Sequence, residues 1–164
     1  MNKKTIRYGQ QEITNDDIEA VNKVLVSTNL TQGPTIESFE NSVKDFTDVK
    51  HAYAVNSATS ALHISCLALG LGKGDYLWTS PNSFVASSNC ALYCGASVSF
   101  VDIDSETYNM CPISLEEKLK KAKEKNALPK IVVPVHLAGQ SCDMKKISEL
   151  GKKYGFRIIE DASH

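Results

Sequence analysis

The hydrophobic and polar positions change rhythm several times along this chain, and each change marks an element. Ile18, Val21 and Leu25 recur at helical spacing behind Thr14, an N-cap with Asp17 at the third helical position. The polar stretch STNLTQGP then interrupts the pattern and reads as a loop. Ile36, Phe39, Val43 and Phe46 form the face of a second helix. From His51 the pattern is strand, tight turn, helix and glycine-rich exit. His51–Val55 is a short strand, and Asn56-Ser57 stops it. Ala58–Leu69 is a helix with Leu62, Ser65, Cys66 and Leu69 on one face, ended by Gly70, Gly72 and Gly74. The alternation then repeats. Strands are expected at 76–79, 98–101, 131–135 and 156–159, and helices at 83–94, 114–126 and 143–154. Ile131–Val135 is continuously apolar, as a strand covered on both faces must be.

Strand–helix alternation from residue 51 onward predicts an α/β fold, a mainly parallel sheet with helices on its faces. The expected organisation is 1–50 as an N-terminal helical segment with its loop, and 51–164 as the sheet domain. Ligands of such sheets sit beyond the carboxyl ends of the strands. That picks out three positions: the turn Ser57–Ser60, the segment Asn82–Phe84, and the end Asp161–His164.

Composition narrows the classes. The chain has 164 residues, 42% hydrophobic and 23% charged, which is enough for one globular core. A net charge of −1 argues against nucleic acid and anionic membrane surfaces as partners. No stretch has the length of a membrane span, and the start MNKKTIRYGQQ lacks the apolar core of a secretory signal. Five cysteines without a CxxC suggest neither a disulfide framework nor a zinc ribbon, so no metal site is expected and the cytoplasm is the expected compartment. Cys90 and Cys94, one helical turn apart, are read as small buried thiols rather than a metal pair.

The three positions have bland and functional readings side by side. Ser57–Ser60 is either a plain helix cap or a phosphate cradle, where unpaired N–H groups and the helix dipole favour an anion. Phe84 is either core or a flat partner for a ring. Asp161 is either a cap or a functional carboxylate. As one site they fit pyridoxal phosphate, with its phosphate, its flat ring and a pyridine nitrogen that a carboxylate keeps protonated. GLGKG is no dinucleotide fingerprint, because it follows the helix rather than preceding it.

Four motifs, in order, carry a resemblance: NSATSAL, TSPNSFVASSNCALYCGASVSFVDID, PVHLAGQ and EDASH. With TNLTQGP near the start, they resemble the DegT/DnrJ/EryC1/StrS sugar aminotransferases, and the wording is most similar to the pseudaminic-acid branch. The resemblance implies the large domain of a fold-type I pyridoxal-phosphate transferase, here its first part. It implies that Ala58 and Thr59 hold the cofactor phosphate, Phe84 stacks on the ring and Asp161 pairs with the pyridine nitrogen. His164 would lie at the ring's hydroxyl edge, or be an ordinary strand-end histidine. Tyr8, Thr28, Asn29, Leu30 and Thr31 would line a sugar-nucleotide pocket, and Gln140 would have a structural role.

The implied reaction moves an amino group, from glutamate, to a 4-keto-6-deoxy sugar on a nucleotide, UDP being the expected carrier, in a homodimer with sites at the subunit interface. The family's Schiff-base lysine falls beyond EDASH, so no catalytic residue is assigned within this sequence. The chain is expected to be an N-terminal portion, inactive alone and poorly soluble through exposed apolar surface. Two alternatives stay open: a sugar dehydratase of the same family, with histidine at the lysine position, and a non-catalytic cofactor-binding fragment.

Overall fold

The computed structural model describes residues 11–163. The chain divides into two compact units, Met1–Ala54 and Val55–His164. The first holds α1 (Asn15–Leu25) and α2 (Pro34–Thr47). Thr14 caps α1 in a reciprocal box: Asp17 N–H donates to Thr14 Oγ1 at 3.3 Å, and Thr14 N–H donates to Asp17 Oδ2 at 2.8 Å. Those Thr14 hydrogen bonds hold the Asp17 carboxyl below the usual carboxylate range. Proline opens α2 at its first turn, where the missing N–H is not needed.

In the second unit α3 (Ala58–Ala68) leads into β1 (Tyr76–Thr79), α4 (Ala86–Tyr93) and β2 (Ser97–Phe100). Next come α5 (Pro112–Glu124), β3 (Ile131–Val133), α6 (Met144–Tyr154) and β4 (Arg157–Ile158). The four strands are all parallel, in the order β2-β1-β3-β4. Successive residues of a strand point to opposite faces, and both faces are covered. Leu77, Ile131 and Val133 pack with Leu62, Cys66, Cys90 and Ala91 of α3 and α4. Trp78 and Val132 pack with Leu115, Leu119, Ile147 and Leu150 of α5 and α6. This is the two-faced parallel sheet that the continuous apolar strands require.

The chain leaves β1 outward to β2, then crosses back to β3 on the other side of β1. The carboxyl ends of β1 and β3 therefore diverge into connections on opposite sides, which opens a crevice between them. Thr79 ties the two strands there, its Oγ1 donating to the Val133 carbonyl at 2.8 Å.

Two expectations need correction. Residues 51–55 form no strand. The His51 and Tyr53 rings stack 6.4 Å apart, as side chains two apart on extended backbone can, yet Tyr53 is 81% exposed. A strand exists only as half of a ladder, and no strand among the described residues pairs with this stretch. The second correction is at residues 83–85: they form a turn, and α4 begins at Ala86. The strands are also shorter than their apolar runs. Beyond β3 and β4 the pairing continues only as an isolated bridge between Val135 and Asp161.

Candidate functional site

The turn into α3 is built by its own side chains. Ser57 is the N-cap, its Oγ accepting from Ser60 N–H at 3.2 Å, and Ala61 N–H reaches the Ser57 carbonyl at 3.0 Å. The Ser60 hydroxyl in turn donates to Asn56 Oδ1 at 2.8 Å. These bonds consume the third and fourth N–H groups of the helix. The first two, on Ala58 and Thr59, have no acceptor among the described residues. The cap and the anion cradle are thus compatible readings of one turn: Ser57 satisfies the deeper donors, and the outermost two stay free at the positive end of the dipole.

Phe84 follows β1 in the turn before α4, where its carbonyl accepts from Ser87 N–H at 3.1 Å. It is 71% exposed, so it is not a core residue, and its ring is bare. Asp161 comes from the other side of the crevice. Its N–H donates to the Pro134 carbonyl, and its carbonyl accepts from His136 N–H, both at 3.0 Å. These bonds extend the β3–β4 register and hold the residue at 6% exposure. Its carboxylate accepts from Ser87 Oγ at 2.6 Å on Oδ2, and from Ser163 N–H at 3.3 Å and Ser163 Oγ at 2.5 Å on Oδ1. No cationic side chain among the described residues forms an ion pair with it. A buried carboxylate with hydroxyl and amide donors but no cation is matched to an incoming positive group.

These residues meet in one cavity of about 240 Å³ at the carboxyl edge of the sheet. It is lined by Ala58, Thr59 and Leu62 of α3, Ser83, Phe84 and Ala86 after β1, and Val135, Asp161 and Ser163 after β3 and β4. No lysine is in that lining. An anion cradle, a bare aromatic face and a cation-seeking carboxylate around one such space fit a phosphorylated pyridinium ring.

Two parts of the site were not singled out residue by residue in the sequence. Ser83, Ser87 and Ser163 serve Asp161. Ser87 could have been suspected, because its hydroxyl breaks the otherwise apolar buried run of Ala86, Cys90 and Ala91. Asn109 is 4% exposed and clamps the turn after β3, its Nδ2 donating to the Gln140 carbonyl at 2.8 Å and its Oδ1 accepting from Leu137 N–H at 3.0 Å. That clamp holds Ala138 at φ 52°, in the left-handed region. His136 braces the same turn. Its Nδ1 accepts from Cys142 N–H at 3.1 Å, so the ring proton sits on Nε2 and is directed at Glu160 Oε2, 3.0 Å away. Beneath the site Cys66 and Cys90 are fully buried, and hydrogen bonding to Cys90 together with burial pushes the Cys66 thiol far up.

Four of the other expected residues belong to the first unit. Thr28, Asn29, Leu30 and Thr31 form an exposed bend of the first unit, between α1 and α2. Its closure is tight: a Cβ on Gly33, at φ 112°, would meet the Asn29 Cβ at 2.8 Å. Tyr8 and His164 lie outside the described residues.

The second unit is therefore a doubly covered parallel α/β domain whose switch-point crevice brings together two free helix N–H groups, an exposed phenyl ring and a buried carboxylate. The chain belongs to the DegT/DnrJ/EryC1/StrS aminotransferase family, whose model matches residues 11–164. Members of the family depend on pyridoxal phosphate. The UDP-4-amino-4,6-dideoxy-N-acetyl-beta-L-altrosamine transaminase of Campylobacter jejuni serotype O:23/36 is 41% identical over 159 residues, which are 97% of this chain and 41% of that protein. Helicobacter pylori PseC, an aminotransferase of pseudaminic acid biosynthesis, superposes with a TM-score of 0.87 at 33% identity, covering 98% of this chain and 42% of that one. Bacillus subtilis NtdA, solved with bound pyridoxamine phosphate, gives a TM-score of 0.81 at 34% identity over 92% of this chain and 34% of its own. The chain thus spans about two fifths or less of the length of these relatives.

Proposed function

We propose that this chain forms the phosphate and ring site of a pyridoxal-phosphate-dependent sugar-nucleotide aminotransferase. The observation that carries the reading is the convergence of two free helix N–H groups, an exposed phenyl face and a buried, cation-free carboxylate on one cavity. Ala58 and Thr59 N–H hold the phosphate, with the α3 dipole behind them. Phe84 covers one face of the ring. Asp161 takes the pyridine N–H and keeps it protonated. His164 serves the hydroxyl edge, and Tyr8 with Thr28, Asn29, Leu30 and Thr31 contacts the sugar nucleotide. Bound pyridoxal phosphate supplies an electron sink and a carrier for the amino group. The described lining contains no lysine, so these residues bind and orient the cofactor and leave its covalent anchoring to another group.

The proposed acceptor is a UDP-linked 4-keto-6-deoxy amino sugar and the proposed donor is glutamate, in a cytoplasmic homodimer. The likeness to the Campylobacter transaminase and to Helicobacter PseC supports this choice of substrate. The test is to incubate the purified full-length protein, not the 164-residue chain alone, with pyridoxal phosphate, glutamate and UDP-4-keto-6-deoxy-N-acetyl-hexosamine. The reading predicts an aminated sugar nucleotide and 2-oxoglutarate in equal amounts. Cofactor bound in the site with no aminated product, or with a dehydrated sugar in its place, would refute the transaminase assignment.

A further inference from the structure

Asp161 is held by a chain of serines whose direction follows from counting protons. The Asp161 carboxylate has none to give, so the Ser87 hydroxyl 2.6 Å from Oδ2 must donate to it. That commits the one proton of Ser87. Ser83 Oγ lies 3.0 Å from Ser87 Oγ, and Ser83 must therefore be the donor in that pair. The order is Ser83 to Ser87 to Asp161. On the opposite oxygen, Ser163 donates twice, at 3.3 Å from its N–H and 2.5 Å from its hydroxyl.

A carboxylate offers about four lone-pair sites. Three are taken, two on Oδ1 and one on Oδ2, and no other donor among the described residues reaches the fourth, on Oδ2. Because both oxygens are pinned, the carboxylate cannot rotate about its Cβ–Cγ bond without breaking a charge-assisted hydrogen bond. Ser87 matters more here than a surface hydroxyl would. It is 1% exposed, it sits among Ala86, Cys90 and Ala91, and among the described residues its hydroxyl is partnered by Asp161 and Ser83 alone.

We infer that Ser87 is a positioning residue, with Ser83 behind it. It fixes the rotation of Asp161 so that the single vacant acceptor site meets the ring nitrogen of the cofactor. This inference rests on the cofactor reading above. It adds a role for Ser87, which is not in the cavity lining and touches the reaction only through Asp161, and for Ser83, which lines the cavity and backs Ser87.

The test uses the purified gene product loaded with pyridoxal phosphate carrying 15N in the ring, read by the 15N shift of that nitrogen at pH 7.5. Asp161→Asn is the control: it should move the signal to the unprotonated position. Ser87→Ala should move the signal the same way and raise the cofactor dissociation constant about tenfold, the effect of one hydrogen bond to a charged group. It should lower kcat while leaving the KM for the amino donor nearly unchanged. Ser87→Thr, which keeps Oγ, should restore the wild-type signal. If Ser87→Ala fails to fold, the half-buried Ser83→Ala carries the same test, with a smaller shift in the same direction.

A wild-type signal in the folded Ser87→Ala protein, with Asp161→Asn shifted, would overturn the role of Ser87 and leave the cofactor site standing. An Asp161→Asn signal unchanged from wild type, or no bound cofactor in the wild type, would overturn both.

Discussion

Phe84 separates a site residue from a core residue at the scale of one side chain. At 71% exposure it contributes little to packing, so Phe84→Ala should leave unfolding stability within about 0.5 kcal/mol of the parent. The same change should weaken cofactor binding several-fold, because an aromatic pair is worth about 0.5–1.5 kcal/mol beyond its buried area. Urea unfolding and a cofactor titration on the same variant check both halves. A large loss of stability with unchanged binding would return Phe84 to the core. The motif order made Ala58, Thr59, Phe84 and Asp161 legible as candidates in the sequence. Which backbone donors stay free in the Ser57–Ser60 turn was not legible, because that depends on where the serine hydroxyls point. Asn109 was invisible for a similar reason: an asparagine between a turn and a helix is ordinary until its two amide atoms are seen to reach across to Leu137 and Gln140.

At the scale of elements, α3 depends on its cap. Ser57→Ala removes the acceptor for Ser60 N–H, and the expected cost is about 1 kcal/mol of stability by urea unfolding, with Ser57→Gly costing less. The link between α3 and the sheet depends on Lys130. Its ammonium donates to the Gly70 carbonyl at 2.6 Å and to Asp75 Oδ2 at 2.9 Å, while Asp75 also accepts from Gly72 N–H at 3.0 Å. The hydrogen bond from Lys130 holds the Asp75 carboxyl below its ordinary range. A depressed carboxylate adds stability above its unfolded value and loses it as the pH falls through the folded value, so the window lies below about pH 4. Lys130→Met should therefore be less stable than the parent at pH 6, and the gap should narrow as the pH falls from 4 towards 2. The contribution is modest, because both side chains are partly exposed. A gap that does not change with pH would show that the pair carries no linkage. Element types were readable from apolar rhythm wherever the partner lay within the chain's own sheet. Residues 51–55 had the composition of a strand, but pairing is a property of two segments, and one segment's sequence does not report whether the other is beside it.

At the scale of the molecule, two apolar clusters on opposite faces of one parallel sheet hold β1 and β3 together, and the change of direction between them opens the crevice that Ala58, Phe84 and Asp161 share. The parallel, doubly covered sheet could be anticipated from uninterrupted runs such as Ile131–Val135. The strand order could not, since local periodicity carries no information about which strands become neighbours. The first unit contrasts with this. Ile18, Val21 and Leu25 of α1 and Phe39 and Phe46 of α2 share the amphipathic spacing of core helices, yet neither helix buries a residue among those described. The central claim is that the crevice is a phosphate-and-pyridine site. Its most direct test is a titration of the 15N-labelled protein with pyridoxamine phosphate, which has no aldehyde to react with surface lysines, followed through the backbone amides. The account predicts that the Ala58 and Thr59 N–H signals move first and furthest, with Ser163 following. Saturable binding that leaves these amides in place, or no binding at all, would contradict it.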